Sequence, residues 1–292
     1  MRKISIPAML AAAVAIASVV AVISYALVSH PDRPRSQVQP TASAQGLPNP
    51  VSTSNHDAVP PPKAGVLLLA TEEEGRRACS SDGRWCVSLS DETDDDGIRR
   101  PVIRPPDVHI SALVEEAGSE ETYVVWPRLI LLDDGDLLAG VETRLSTSYS
   151  GGGGSATALR LFKMTKDGVS SGAPVLTIPV QASLLIRACF SEADLETRAE
   201  ACHDEYGFKG KVGIEAATHR MPRITYSTQA WAFPRGASRD SDSATRGPLV
   251  PADLVREPDD KCSFSRRFEF DEATGVYQPD RPLPDCTAYT VP

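Results

Sequence analysis

Four short stretches of this chain combine residue types that do chemistry in other proteins. Gly168-Val169-Ser170-Ser171-Gly172 matches G-x-S-x-G, the turn that exposes a nucleophilic serine at the top of a hydrolase sheet. That chemistry needs a strand before the turn and a helix after it. Leu159 to Lys166 reads as a strand, but Ala173 to Val180, with Pro174 and Pro179, reads as a second extended segment, so the pattern predicts a surface loop. Cys202-His203-Asp204-Glu205 places a thiol, an imidazole and two carboxylates in succession, a set suited to nucleophilic or metal chemistry. Neighbours on an extended chain point to opposite faces, so these four converge only if partners such as His109 or His219 come from elsewhere. The expectation is a disulfide at Cys202 beside an exposed polar loop.

Asp91-Glu92-Thr93-Asp94-Asp95-Asp96-Gly97 alternates oxygen ligands as calcium loops do. Counted from Glu92, the first of the alternating ligands Glu92, Asp94 and Asp96, the twelfth position, where an EF-hand requires a bidentate acid, is Ile103, and the reading is a solvated acidic turn. Gly151 to Gly154 would cradle phosphate only if Gly-Lys-Ser/Thr followed; Ala156 and Thr157 lie downstream instead, which leaves a flexible connection as the expectation.

These stretches sit among short apolar segments separated by turn signals. Cys79 and Cys86 are symmetric about Asp82-Gly83, a preferred dipeptide for a two-residue hairpin turn. That register sets Ser80 opposite Trp85 and Cys79 opposite Cys86, with Cα atoms close enough for a disulfide. Six cysteines allow 15 connectivities; proximity along the chain suggests Cys189 with Cys202 and Cys262 with Cys286. A second hairpin centred on Asp134-Gly135 sets Leu132 opposite Leu137 and Leu131 opposite Leu138, and Gly275 suggests a third.

Phe208, Gly210, Val212, Ile214 and Ala216 alternate with Lys209, Lys211, Gly213 and Glu215, the period of a half-buried strand; Phe264, Phe268 and Phe270 share one parity. One stretch argues for a helix, Ser191 to Glu200, where Ser191 and Asp194 make a capping-box pattern and Asp194 can pair with Arg198. Trp85, Trp126 and Trp231 read as core residues rather than as the lining of a groove. The fold class expected is mainly β: a single antiparallel β domain, a sandwich or meander, with one short helix. Ser80 to Val87 and Leu131 to Gly140 resemble the S-x-D-G and D-G-x-L-L-x-G hairpins of β-propeller repeat families. That resemblance implies a propeller-like arrangement as the alternative and carries over no functional residue.

The N-terminus sets the expected address. Ile4 to Val28 carries no charge and follows Arg2 and Lys3, long enough for a helix to cross a bilayer core of roughly 30 Å. Residues 1–28 read as a signal anchor with the N-terminus in the cytoplasm, or as a signal peptide cleaved near Ser24-Tyr25-Ala26 or Ala42-Ser43-Ala44. Residues 29–63, rich in Pro, Ser, Thr, Gln and Asn, read as a disordered tether, and 64–292 as the folded domain. Either reading puts the bulk of the chain in the periplasm or a like compartment, where six cysteines form disulfides. The formal charge of −9, without a strong basic cluster, argues against nucleic acid as a partner. Together these features predict a non-catalytic envelope protein that requires no cofactor and binds another protein or a wall polymer. The candidate binding residues are Asp94, Asp96, His203, Asp204 and Glu205. The rival expectations are a secreted hydrolase using Ser170 or a metal held by His203 and His219, and an inhibitor of a foreign hydrolase.

Overall fold

The computed structural model describes residues 65–94, 97–104, 121–170, 172–215 and 221–292. The N-terminal apolar run, the tether, Asp96, His109 and His219 lie outside them. No helix among the described residues is long and apolar enough to cross a membrane. Thirteen strands follow one another: β1 (Gly65–Glu72), β2 (Arg77–Ser80), β3 (Cys86–Thr93), β4 (Arg99–Arg104), β5 (Glu121–Leu131), β6 (Leu137–Tyr149), β7 (Gly152–Met164), β8 (Leu176–Arg187), β9 (His203–Glu215), β10 (Arg223–Phe233), β11 (Glu257–Pro258), β12 (Ser265–Asp271) and β13 (Val276–Pro279). Two short helices complete the set, α1 (Glu192–Thr197) and α2 (Thr287–Thr290), one more than the sequence pattern announced.

All thirteen strands belong to one open antiparallel sheet, in the order β13-β12-β10-β9-β8-β7-β6-β5-β1-β2-β3-β4, with β11 also paired to β10. From β5 to β10 each strand pairs with its neighbour in sequence. The sheet is therefore a meander and not a propeller, whose blades are separate small sheets. The local hairpins that resemble propeller repeats follow from turn chemistry, which does not decide how hairpins assemble.

Few twisted sheets exceed about ten strands without curling, and this one curls in both directions. Strand β1 pairs with β5 through Gly65 to Leu68 and with β2 through Leu69 to Glu72, so it turns the chain from one layer into the next. Strands β2 and β3 thereby cover one face of β5–β7, burying Leu69, Ala78, Val87 and Leu89 against Leu129, Leu131, Phe162 and Met164. The other face of the same strands, with Trp126, Ile130, Leu138, Leu159 and Leu161, packs against Phe208, Ile224, Tyr226 and Phe268. Arg128 Nη1 donates to the Val212 carbonyl at 3.4 Å, joining β5 to β9 across that fold-over. Strands covered on both faces require apolar residues at both parities. The unbroken runs Leu129 to Leu132 and Leu137 to Ala139 are the consequence.

The first expected hairpin forms with its register intact. Cys79 stands opposite Cys86 and their Cα atoms are 4.1 Å apart in the disulfide. The turn itself differs from the expectation: the Gly83 N–H donates to the Ser80 carbonyl, and only Gly83 has positive φ, because Asp82 Oδ1 accepts from Ser80 Oγ and from the Arg84 N–H. The second hairpin is shifted by one residue. Leu131 pairs with Leu137 and Ile130 with Leu138, since Gly135, at φ +87, lets Leu132 and Asp136 close a three-residue loop. The third forms as expected, with Phe270 opposite Tyr277.

The glycine run is not a flexible connection. Gly152 to Gly154 are paired residues of β7. A Cβ on Gly152 would strike the Tyr149 ring and the Leu185 carbonyl, and one on Gly154 would lie 2.8 Å from Leu184 Cδ1 and from Pro292 Cβ. These glycines allow close approach. Gly207, opposite Trp231 in the β9–β10 register, does the same for the indole, over which the Arg256 guanidinium lies at 4.1 Å. Gly207→Ala is expected to cost about 1–3 kcal/mol, as overpacking does, measured as a lower urea midpoint with an unchanged m-value. A loss below the error of that measurement would show that the indole is not confined.

Candidate functional site

Alternation along β9 divides the candidate segment between two faces. His203 is exposed and Glu205 half-buried on the outer face, where Glu205 pairs with Arg256 at 3.6 Å; Asp204 and Tyr206 are buried on the inner face. Of the proposed set only Asp204 therefore points into the fold. It lines a cleft of about 250 Å³, with Ile186 and Ala188 at the end of β8, Tyr206 on β9, and Ser238 and Arg239 on the segment after β10.

Two segments converge on the Asp204 carboxylate. Arg198 Nη2 donates to Oδ1 at 2.6 Å, and the Ser243 hydroxyl donates to Oδ2. The guanidinium also donates through Nε to the Ala201 carbonyl at 3.1 Å and through Nη1 to the Ser243 carbonyl at 3.3 Å. The side chains of Arg198 and Asp204 are 3% and 5% exposed, so the pair is desolvated as well as hydrogen-bonded. Buried ion pairs persist where further hydrogen bonds satisfy both partners, and this one meets that condition.

The expected pairing of Asp194 with Arg198 does not form. Asp194 instead completes the cap of α1: its N–H donates to Ser191 Oγ at 3.1 Å, and its Oδ2 accepts from the Phe190 N–H at 3.0 Å. The Phe190 N–H, with help from the Ser191 hydroxyl, holds its carboxyl below the usual carboxylate range. Beyond Arg198 the chain takes the left-handed conformation at Ala199 and Glu200, and the Cys189–Cys202 disulfide closes the base of this excursion beside a bond from the Ala188 N–H to the Cys202 carbonyl. Helix, reversal and disulfide together deliver Arg198 inward.

Tyr206 lines the cleft and packs in a buried cluster with Leu184 and Ala232. Its ring meets Tyr289 of α2 edge to face, with centroids 6.0 Å apart. Burial, reinforced by Asp204, pushes the Tyr206 hydroxyl up to about 12, so it keeps its proton at neutral pH. Arg239 ties the cleft to the C-terminal segment by donating Nη1 to the Val291 carbonyl at 2.6 Å. Neither Tyr206 nor Arg239 announces itself in the sequence. Parity alone links Tyr206 to Asp204, and nothing local marks the 238–243 segment as its neighbour.

The remaining candidates are placed elsewhere. Asp94 clasps the β3–β4 hairpin: Oδ1 accepts from the Ile98 N–H at 2.8 Å and Oδ2 pairs with Arg100 at 3.0 Å. Ser170 lies in a turn between β7 and β8, bridged to Met164 and without a helix after it; its hydroxyl donates to the Gly172 carbonyl at 3.4 Å. A second cleft, of about 450 Å³, is lined by Glu72, Glu73, Glu74 and Glu142. Arg77 lies 3.6 Å from Glu72 and Arg144 lies 3.3 Å from Glu142. Among the described residues no three His, Cys, Asp or Glu side chains are grouped so as to hold a metal ion.

No family model, curated protein or solved structure matches this chain. Chemistry and geometry alone carry the functional reading.

Proposed function

We propose that this is an exported, non-catalytic envelope protein whose disulfide-stapled β domain binds a wall polymer or another surface component. The observation that carries the reading is the exposed face of β8–β10. Gln181, Lys209 and Gln229 stand side by side across three paired strands, with Ser183 and Lys211 in the adjoining rows, and all but Ser227 beside them are well exposed. A flat row of amides and ammonium groups on a rigid sheet suits a ligand that presents hydroxyl or anionic oxygens repeatedly. Three disulfides, Cys79–Cys86, Cys189–Cys202 and Cys262–Cys286, support an oxidising compartment. In this reading the N-terminal apolar run is a tether to the membrane or a leader removed after export.

Two measurements test the proposal. Protein isolated from its native host, unfolded without reductant, is expected to contain no reactive thiol; six would place the chain in a reducing compartment and end the reading. Cosedimentation with isolated envelope material is expected to weaken about tenfold in Lys209→Glu/Lys211→Glu, the direction that charge reversal on a binding face gives. Undiminished binding by that variant would remove the β8–β10 face from the proposal.

A further inference from the structure

The Asp204 cleft is lined by one residue, Tyr206, whose donor the protein does not satisfy. The Tyr206 hydroxyl is buried and has no hydrogen-bond partner, on a residue 2% exposed. Arg246, which does not line the cleft, adds its charge to those of Arg239 and Arg198 in acting on that hydroxyl. A guanidinium only donates, and a phenol that retains its proton donates readily. The Asp204 carboxylate bonds to Arg198 and Ser243 and not to the Tyr206 hydroxyl. An orphaned buried donor is costly, so an unsatisfied hydroxyl lining a cleft in a native fold calls for an acceptor from outside.

The cleft limits what that acceptor can be. Its volume of about 250 Å³ falls below the roughly 300–1,000 Å³ that accommodates drug-sized ligands. At its mouth the exposed Arg239, which commits Nη1 to the Ala288 and Val291 carbonyls, presents positive charge. Asp240 and Asp242 stand beside it. Those carboxylates repel a multiply charged anion such as phosphate but tolerate a single carboxylate, and they favour one that also carries an ammonium group.

We propose that this cleft binds a small carboxylate compound, α-amino acids included, whose oxygens accept from the buried Tyr206 hydroxyl and from the Arg239 guanidinium at the rim. The site lies on the inner face of β9, apart from the outer β8–β10 face, so its failure and the failure of the surface-binding reading are separately visible.

The test uses the full-length protein with acetate, glycine or inorganic phosphate as probes, each compared with chloride at equal ionic strength. Acetate or glycine is expected to raise the melting temperature saturably, as any ligand of the native state does, and phosphate is expected to do so less. Tyr206→Phe removes the hydroxyl at constant shape. It should weaken binding about tenfold or more, the worth of a hydrogen bond to a charged acceptor, without lowering the melting temperature of the unliganded protein. Arg239→Gln, a change at an exposed position, should weaken binding comparably. The inference is overturned if neither acetate nor glycine gives a saturable rise, if phosphate matches them, or if Tyr206→Phe binds as the wild type does. It is overturned equally if that variant is destabilised without ligand, since the hydroxyl would then have a protein partner.

Discussion

Asp204→Ala is expected to destabilise the domain by about 3–5 kcal/mol, the loss seen when one partner of a buried ion pair is removed and the other is left charged. Arg198, 3% exposed, would keep its bonds to the Ala201 and Ser243 carbonyls but lose the carboxylate that neutralises it. The double variant Arg198→Met/Asp204→Leu should recover most of that loss, because well-packed apolar side chains replace a buried pair at little net cost. Urea unfolding of the two variants and the wild type measures the difference. A single-variant loss below about 1 kcal/mol, the range of surface pairs, would show that water reaches the pair. If the double variant remains stable but no longer binds glycine, Asp204 and Arg198 shape the cleft as well as the fold.

Removing the Cys262–Cys286 bridge as Cys262→Ser/Cys286→Ser should cost about 3.5 kcal/mol, and removing Cys79–Cys86 about 2.5 kcal/mol, from the chain entropy released in the unfolded state. The order follows from sequence separations of 24 and 7 residues. The longer bridge has a second role. Cys262 is 2% exposed in the main core, whereas Cys286 precedes α2, whose Tyr289 packs on Tyr206 and donates its hydroxyl to Asp259 Oδ2 at 2.9 Å. Loss of this bridge should therefore loosen the packing on Tyr206 and speed amide exchange in 286–292, while loss of Cys79–Cys86 should leave that segment unchanged. Equal costs, or unaltered exchange near Tyr289, would refute the assignment.

Much of the β architecture was legible because local chemistry specifies it. The spacing of Cys79 and Cys86 about Asp82-Gly83, the alternation from Phe208 to Glu215 and the Ser191/Asp194 cap all appear where the residues place them. Each depends on groups only a few positions apart. The register at Asp134-Gly135 differs by one residue from the sequence expectation because a two-residue and a three-residue loop share the same dipeptide. Only pairing along the whole hairpin separates them. The glycines from 151 to 154 resembled a linker because their purpose, close contact with Tyr149, Leu184 and Pro292, involves residues that the sequence sets apart.

The candidate site was legible in a single residue. Asp94 has the composition of a ligand but clasps its own hairpin, and His203 and Glu205 face outward by strand parity. Asp204 was identified without its partners. Arg198 had an apparent partner four residues away at Asp194, and the capping bonds at the helix start claimed that carboxylate first. By itself the sequence determined the β class, the strand from Phe208, the hairpin bridge and the helix cap, since each is settled by short-range sterics and hydrogen bonding. Only the tertiary structure decided the curl of the sheet, the burial of Asp204 with Arg198 and the exposure of a cleft above Tyr206, because desolvation depends on which distant segments exclude water from a group.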